Sequence, residues 1–486
     1  MYPCIPCRLA PGLPLLTAVV FSLSACGGGD PGPAVGSGAS AGVLVSGYSQ
    51  QKNPSQTGNT DHKVEPWTAR SALSGQPVSQ VNTTTQGDQV LRSLGAVDED
   101  GYTVAWLSGN DGIFMQRYDS AGSKVGGETQ LQLDIRDVSA SVRAEALSLS
   151  SVAVLRDGSV VVAYPVARPA DPPVPNSYAL KGGIYFQRFD STGAQVLAET
   201  EVFSRTFVPN YRPPGLGNVK AIALADGGFA IGWAATQPSS IGIGTAFSVR
   251  RHDGAGQAEG APVGVGVPSI NSPAESTYAL RPDAFGGYAV LTSQQRKDHT
   301  PLLSLTYFDT GNAPQPVPLP DGTTDALLLP LEGGRFVLFG QGNAGAYRQF
   351  LDSGANPVGA PTPLSALPLA AQELADASYA TFTAVALGVS AQRFSSEGVA
   401  TGESALIAAQ GSPVSVAALA DSGFAAAWTA AGALADQDVF AQRFTVSADP
   451  VHAGAKARRK ACKASAVGQG LKGKARKQFM DGCLKY

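Results

Sequence analysis

The amino-acid sequence predicts an all-β protein, a seven-bladed β-propeller with an N-terminal closing strand and a small C-terminal α-helical hairpin. Three observations predict this fold. A segment of about thirty residues recurs along the chain, as VAALADSGFAAAW…DVFAQRF near the end and EDGYTVAW…GIFMQRYD near the start. The chain holds 57 Gly and 34 Pro, which is typical of many short elements joined by turns. A strand-like stretch, GQPVSQVN, precedes the first copy.

One copy has the pattern of a four-stranded blade. A run of small apolar residues suits an innermost strand, where blades converge, and an acidic-Gly turn then closes a hairpin. The second strand is apolar on both faces, as burial between neighbouring blades requires. Large aromatic residues end that strand, namely Trp106, Tyr164, Trp233 and Trp428. The third strand alternates through a Gln-Arg-aromatic motif, and a second turn leads to an exposed fourth strand.

Seven copies can be aligned by their turns and by the ends of their third strands. The turns lie near Glu99–Gly101, Asp157–Gly158, Asp226–Gly228, Phe285–Gly287, Glu332–Gly334, Asp376–Ser378 and Asp421–Gly423. The third strands end at Tyr118, Phe189, His252, Phe308, Phe350, Phe394 and Phe444. This spacing is in or above the range of propeller blades.

The segment Gly75–Asn82 reads as a fourth strand with no blade before it, while the seventh copy ends soon after Phe444. We therefore predict that this strand completes the last blade and closes the ring, which would remove the sheet edges. A β-helix or a β-sandwich remains the alternative architecture.

The copies resemble the DGGFVVxW…YAQRFD repeats of large bacterial surface and secreted proteins, over roughly residues 76–446. Their turns also resemble the Asp-box of sialidases, S-x-D-x-G-x-T-W, although the leading Ser is missing here. In that family the box is a structural turn, so this resemblance implies the fold and not hydrolysis.

The N-terminus has the form of a secretory signal, with Arg8 followed by an apolar run that is too short to span a bilayer. The run ends in Leu23-Ser24-Ala25-Cys26, which resembles the lipobox of bacterial lipoproteins. That resemblance implies a signal peptide over residues 1–25 and lipidation of Cys26. Gly27 is not the acidic residue that retains such proteins at the inner membrane, so we expect an outer-membrane lipoprotein that faces the periplasm or the cell surface. Residues 26–75 read as a flexible tether.

No motif identifies a catalytic centre, a metal site or a cofactor, and we predict none. The five Cys lie only at the two ends of the chain, and the four His are scattered. His252 takes the place of an aromatic residue of the repeat, which indicates packing. A recurring Arg in the third strand (Arg117, Arg188, Arg251, Arg393 and Arg443) is expected to meet the carboxylate of a neighbouring turn in each blade, although an anion-binding ring is the alternative.

Two insertions lie between second and third strands, at Pro165–Gly183 and Ala234–Ala246. Both fall on the rim that carries the connections between blades, where propellers commonly bind ligands. Five residues are the candidates for a binding rim: Arg168, Asp171, Tyr178, Lys181 and Gln237. A tolerated surface insertion explains the same pattern equally well.

Residues 447–486 differ from the rest of the chain, because ten Lys or Arg and a single acid follow position 455. Helical spacing there places Phe479, Met480 and Cys483 on one side. This segment resembles the PsiF-type, phosphate-starvation-inducible repeat, through Cys462, Leu471, Lys472, Gly473, Arg476, Phe479, Met480, Cys483 and Leu484. In an oxidising envelope, we expect Cys462 and Cys483 to form a disulfide. The basic excess suits anionic lipopolysaccharide or acidic lipid, and a merely solvated tail is the alternative.

Taken with the lipobox, these features predict a cell-envelope lipoprotein that binds or scaffolds without catalysis. Its predicted partners are the membrane, through the lipid, and envelope proteins or glycans, with no nucleic acid. The alternative is a carbohydrate-active enzyme, a glycosidase or lyase, that uses carboxylates at the mouth of the propeller.

Overall fold

The structure is a computed structural model. It describes residues 73–97, 101–109, 111–169, 180–207, 217–239, 242–269, 277–283, 286–295, 301–386, 388–408, 414–432 and 436–446. The predicted signal peptide, Cys26, nearly all of the tether, and the C-terminal module with Cys462 and Cys483 lie outside these residues.

Seven antiparallel sheets make up the described part of the chain, as predicted. Two short strands come first: β1 (Leu73–Gly75) and β2 (Ser79–Gln80). Blade 1 follows with β3 (Gln89–Val97), β4 (Gly101–Ser108), β5 (Gly112–Tyr118) and β6 (Lys124–Leu131). After α1 (Ala140–Ser148), blade 2 has β7 (Ser151–Val154), β8 (Val160–Pro169), β9 (Leu180–Phe189) and β10 (Gln195–Phe207). Blade 3 has β11 (Gly217–Ala223), β12 (Phe229–Ser239), β13 (Gly242–His252) and β14 (Val263–Ser269).

The later blades follow the same order of strands. Blade 4 has β15 (Thr277–Pro282), β16 (Tyr288–Gln295), β17 (Pro301–Phe308) and β18 (Pro314–Val317). Blade 5 has β19 (Asp325–Leu331), β20 (Arg335–Gly342), β21 (Gly345–Leu351) and β22 (Pro357–Pro363). Blade 6 has β23 (Ala370–Glu373), β24 (Tyr379–Val385), β25 (Gly388–Phe394) and β26 (Ala405–Ala408). Blade 7 has β27 (Val414–Ala418), β28 (Phe424–Ala431) and β29 (Gln437–Val446).

Each sheet packs against the next around the ring, and the innermost strand of each blade contacts a strand of its neighbour. We call the side with the first-to-second-strand hairpins the turn rim. The opposite side, with the second-to-third-strand hairpins and the connections between blades, is the crossover rim. The large aromatic residues predicted to end the second strands fill the spaces between sheets: Trp106, Tyr164, Trp233 and Trp428 are all buried.

The ring closes where β1 and β2 pair with β29, so blade 7 combines strands from both ends of the propeller. This confirms the predicted closing strand, although pairing begins at Leu73, two residues earlier than expected. Asn82 fixes the joint from inside. Its Nδ2 donates to Asp438 Oδ1 at 2.7 Å, and its Oδ1 accepts from the backbone N–H of Val439 at 2.9 Å. Asn82 and Asp438 are each only 2% exposed.

The recurring Arg binds the carboxylate of its own hairpin turn. Arg188 donates to Asp157 at 2.8 Å and Arg443 to Asp421 at 2.5 Å. Two further blades repeat the pair, through Arg251 with Asp226 and Arg393 with Asp376. The other oxygen of each Asp accepts a backbone N–H of the turn. The structure therefore confirms the structural interpretation of these four arginines, while the turn next to Arg117 is outside the described residues.

The Gln of the repeated motif ties the third strand to the fourth. The side-chain amide of Gln116 donates to backbone oxygens of Arg117, Val125 and Gly126, at 2.9–3.4 Å. The same contacts recur around Gln349 and, in part, Gln392. The motif thus encodes a local brace, in which Gln binds outward to the fourth strand and Arg binds the turn.

The aromatic residue that ends the third strand stacks on the first residues of the second strand. Five such pairs have centroids 4.6–5.2 Å apart: Tyr102–Tyr118, Phe229–His252, Tyr288–Phe308, Tyr379–Phe394 and Phe424–Phe444. In blade 5 the equivalent position is Leu351, which pairs with Phe336, and not Phe350 as the sequence suggested. In the β20–β21 pair, the residue opposite the start of the second strand is thus one position later in the sequence than the repeat pattern suggested.

The helix α1 was not predicted from the sequence. It occupies the connection between blades 1 and 2, and it contacts β8. Ser139 caps its N-terminus, since its Oγ accepts from the N–H of Val142. Only Ala146 and Leu147 of the helix are buried, which explains why the apolar pattern gave no helical signal. Among the described residues, no helix has the length and apolar character needed to cross a membrane.

His252 packs as the sequence indicated. It is 1% exposed, lies between Phe186 and Phe229, and has a buried Nδ1 without a hydrogen-bond partner. Burial, and then repulsion from Arg250, lowers the pKa of His252 to about 4.

Replacement of Asn82 by Ala is expected to lower the free energy of unfolding by about 2–3 kcal/mol, because it leaves the buried Asp438 carboxylate without a donor. Asn343, on the exposed β20–β21 hairpin, supplies the matched control, since Asn343→Ala removes the same amide from the surface. Urea denaturation measures both variants. Equal midpoints for the two would contradict the role of Asn82 in ring closure.

Acid should destabilise the protein through His252. The unfolded state binds a proton below pH about 6.5, whereas the folded state does so only below about 4, so stability falls as the pH drops through this window. The shift corresponds to a loss of up to about 3 kcal/mol. His252→Phe, which restores the aromatic residue of the other blades, is expected to remove this part of the pH dependence. Thermal unfolding between pH 7.5 and 4 tests it, and parallel curves for the two proteins would refute it.

Candidate binding surface on the crossover rim

In their described parts, the two predicted insertions extend the second and third strands of blades 2 and 3, while residues 170–179 and 240–241 lie outside the described residues. In blade 2 the inner strand β7 pairs only as far as Ala163, and β8 continues to Pro169, paired with β9 alone. In blade 3 the inner strand β11 pairs as far as Ala234, while β12 continues to Ser239. Two neighbouring hairpins therefore project from the crossover rim. The sequence missed this because Pro165 and Pro238 lie within the strands, where proline normally argues against a strand.

In blade 2 the outer strand β10 follows the projection along its whole length, to a pair between Phe207 and Leu180. The projection is thus a three-stranded sheet. It lies beside the second projecting hairpin, that of blade 3. The second and third strands of blades 2 and 3 have ten or eleven residues, whereas those of the other described blades have seven or eight, except for β29.

Arg168 forms a nearly buried ion pair with Glu199 of β10. Its Nη1 and Nη2 donate to the two oxygens of Glu199, at 2.8 and 3.0 Å, and both side chains are 14% exposed. Parallel bonds of this kind fix the orientation of both groups. The guanidinium also lies 4.5 Å from the ring centroid of Tyr185, a cation–π contact. The hydrogen bond to Glu199 raises the pKa of Arg168.

Tyr164 connects this pair to the core of the blade. Its hydroxyl donates to Glu199 Oε2 at 2.8 Å and accepts from Gln187 Nε2 at 2.7 Å. Burial raises the pKa of Tyr164 far above its ordinary value, and the Glu199 charge raises it further. The phenol therefore stays protonated and serves as a hydrogen-bond donor.

Lys181 of β9 forms a second ion pair, with Glu201 of β10. Its Nζ donates to Glu201 Oε2 at 2.6 Å, and Ser204 Oγ donates to the other oxygen at 2.6 Å. Burial acts to raise the pKa of Glu201, but the hydrogen bonds from Lys181 and Ser204 outweigh it, so the pKa lies below its ordinary value. The Glu201 side chain is 43% exposed.

The structure brings together two of the five predicted rim residues, since Arg168 and Lys181 are directly opposite each other in the β8–β9 pair. Gln237 lies on the neighbouring hairpin, where its backbone pairs with Gly244. Asp171 and Tyr178 lie outside the described residues. Sequence reasoning missed Glu199 and Glu201, because nothing assigned partners to the fourth strand. Their alternation in Ala198-Glu199-Thr200-Glu201 was the available signal, since it places both carboxylates on one face.

The two carboxylates do not form the arrangement that a glycosidase needs. Such an enzyme requires one carboxylic acid whose pKa is raised, so that it can protonate the leaving group. Here Glu199 is bound by a guanidinium and Glu201 by an ammonium, and the pKa of Glu201 is lowered. Within the described ranges, no group of three or more His, Cys, Asp or Glu is placed to hold a metal ion.

One family model matches a short segment of the chain. The psiF repeat matches residues 455–485, which lie outside the described residues, and it covers the segment that the sequence assigned to this repeat. No curated protein matches the chain.

Several solved structures are similar to this chain at low identity. A protein of unknown function from Dyadobacter fermentans DSM 18053 is 14% identical, with a TM-score of 0.39, over 61% of this chain and 94% of that one. A prolyl endopeptidase is 13% identical, with a TM-score of 0.40, over 72% of this chain. This chain spans 45% of that enzyme's length. A Hadza microbial sialidase is 14% identical, with a TM-score of 0.37, over 72% of this chain and 76% of that one.

Glu199→Ala is expected to lower the free energy of unfolding by about 3 kcal/mol, because it leaves the nearly buried Arg168 without its counter-charge. Glu201→Ala removes an identical side chain two residues along the same strand, but from a more exposed pair. It should cost less than about 1 kcal/mol. Chemical denaturation of both variants tests the difference, and equal losses would show that the Arg168 pair is no stronger than its exposed neighbour.

Proposed function

We propose that this chain is a cell-envelope protein that binds a partner protein, without catalysis, through the crossover rim of blades 2 and 3. One observation carries the proposal: the two neighbouring projecting hairpins, of which that of blade 2 is stiffened by the Arg168–Glu199–Tyr164 network. A stiff surface loses little conformational entropy on binding, which favours affinity. The projection is not needed to close the ring, because the pairing of β8 with the innermost strand β7 already ends at Ala163.

The composition of the surface also favours a protein partner. Its accessible part is the Lys181–Glu201 ion pair, whose side chains are 34% and 43% exposed, while Arg168 and Tyr185 next to it are nearly buried. Charged groups at the edge of an interface steer the association of proteins. Arg136, in the connection next to α1, adds an exposed cation, since 68% of its side chain is accessible.

The location in the envelope is part of the same proposal. Leu23–Cys26 supports a lipid anchor at Cys26, and the basic psiF repeat supports contact with anionic lipid or lipopolysaccharide. The predicted Cys462–Cys483 disulfide would suit an oxidising compartment. The enzyme alternative relied on carboxylates at the mouth of the propeller, and Glu199 and Glu201, on the outermost strand β10 and each paired with a cation, give it no support.

A photo-crosslinking amino acid placed at Lys181 should capture a discrete partner in intact cells. The same amino acid at Arg335, a similarly exposed cation on the turn rim that pairs with Glu397, is the matched control. We expect a protein adduct from position 181 and none from position 335. Charge reversal by Arg136→Glu should reduce the yield at position 181 several-fold, since rim charges steer association.

Two results would contradict the proposal. One is the same adducts from both positions, which would indicate collisions with abundant proteins. The other is polysaccharide cleavage by the purified protein that is abolished by Glu201→Ala, which would establish the enzyme alternative.

A further inference from the structure

Three cations lie on innermost strands of the ring: Arg92 on β3, Lys220 on β11 and Arg281 on β15. The three strands belong to blades 1, 3 and 4, and only β7 separates β3 from β11, since β7 contacts both. β11 in turn contacts β15. The three side chains therefore line one side of the central channel. Lys220 and Arg281 are exposed to solvent, and Arg92 is half-buried.

None of these cations has a carboxylate partner among the described residues. Arg92 Nη2 donates to the backbone oxygen of Ser148 at 2.9 Å, while its Nε is buried without a partner. Within the described ranges, no hydrogen bond or ion pair engages the ammonium of Lys220 or the guanidinium of Arg281. This contrasts with the turn rim, where the described arginines at the repeat position are paired with carboxylates in four blades.

The two guanidinium groups act on the ammonium of Lys220. Burial, and then repulsion from Arg281 and Arg92, lowers the pKa of Lys220. Burial also lowers the pKa of Arg92 and of Arg281. The side chains are thus reached by solvent but surrounded by protein, in a channel whose walls weaken hydration and screening. An arrangement of like charges without counter-charges raises the free energy of the folded state.

One carboxylate lies near the group. Asp325 of β19 lines, together with Arg281, a cavity of about 150 Å³ between blades 4 and 5. No ion pair joins Asp325 to Arg281, and the Asp325 carboxylate accepts a hydrogen bond from the N–H of Ala326 at 2.8 Å. It offsets part of the positive potential near Arg281 but not near Arg92 or Lys220, which lie on the far side of β15.

We propose that the channel face formed by Arg92, Lys220 and Arg281 is a binding site for a soluble oxyanion that carries at least two negative charges, of the phosphate type. Two guanidinium groups supply paired N–H donors that suit such oxygens, and the ammonium adds a point charge. The site lies inside the ring and apart from the crossover-rim hairpins, so it is independent of the proposed partner surface. A free anion reaches it through the channel, whereas a bilayer surface does not.

The geometry also predicts an opposite effect on stability. Without the anion, removing one cation relieves repulsion, so Lys220→Gln should unfold at the same temperature as the unmodified protein or a higher one. With the anion, the same variant should lose most of the stabilisation that binding provides. A residue with a purely structural role would instead lower the unfolding temperature in both conditions.

The experiment measures thermal unfolding of the full chain at pH 7.5 in increasing inorganic phosphate, with ionic strength held constant by sodium chloride. We expect a saturable rise of several degrees for the unmodified protein. Lys220→Gln and Arg281→Gln should each weaken the apparent affinity by about tenfold or more. Arg335→Gln, which removes a cation from the turn rim, is the matched control and should respond as the unmodified protein does.

Titration calorimetry with inorganic phosphate provides a second measurement, which does not depend on unfolding. The proposal is overturned if phosphate stabilises no more than chloride at equal ionic strength. It is also overturned if all three variants bind phosphate as well as the unmodified protein. If Lys220→Gln does not fold, the comparison between Arg281→Gln and Arg335→Gln decides the question.

Discussion

The pairing of β1 and β2 with β29 is the constraint on which the rest of the structure depends. Each of the other described joints between blades follows from consecutive sequence, because one blade leads directly to the next. Blade 7 alone is completed by residues more than 350 positions away in the sequence. Until β1 and β2 pair with β29, that strand remains an unpaired edge of its sheet. Closing so long a loop costs conformational entropy. Buried groups such as Asn82 and Asp438, which satisfy each other only in the closed ring, therefore contribute to a single cooperative unit.

The sequence predicted the parts of the fold that repeat. Six of the seven turns carry an acidic residue, and the third strands of blades 1, 2, 6 and 7 carry Gln followed by Arg, because the local contacts that hold a turn use the same groups at the same spacing. The closing strand was predictable as well, since Gly75–Asn82 lacks a blade of its own. The features that the sequence did not predict are those that occur in one blade only. The helix α1 buries only two residues, and the shift from Phe350 to Leu351 reflects the register of a single hairpin.

The sequence predicted where the candidate surface lies, but not which side chains contact one another there. The insertions marked the crossover rim, and Arg168 and Lys181 were identified there. Their partners Glu199 and Glu201 come from a strand about 20–30 residues further along, and only the length of β10 brings them alongside. Sequence reasoning had no means to extend β10 beyond the blade, because Pro165 within β8 argued against a continuing strand. The cations of the channel were missed for a similar reason. They share no repeat position, and register irregularities lie beside Arg92 and Lys220.

The repeat offers a way to separate charges that hold the fold from charges that act on something else. A charge at a repeated position meets a repeated counter-charge, as Arg188 meets Asp157 and Arg443 meets Asp421. In blade 4, where Tyr307 replaces the Arg, its hydroxyl still binds the turn carboxylate of Asp283, at 2.6 Å. The brace thus survives the loss of the cation, which shows that the turn needs a donor and not a charge. By contrast, Arg92, Lys220 and Arg281 follow no repeat, and the two guanidinium groups make the charged form of Lys220 less stable. Since the fold gains nothing from their proximity, a bound anion gives the simplest physical reason for it.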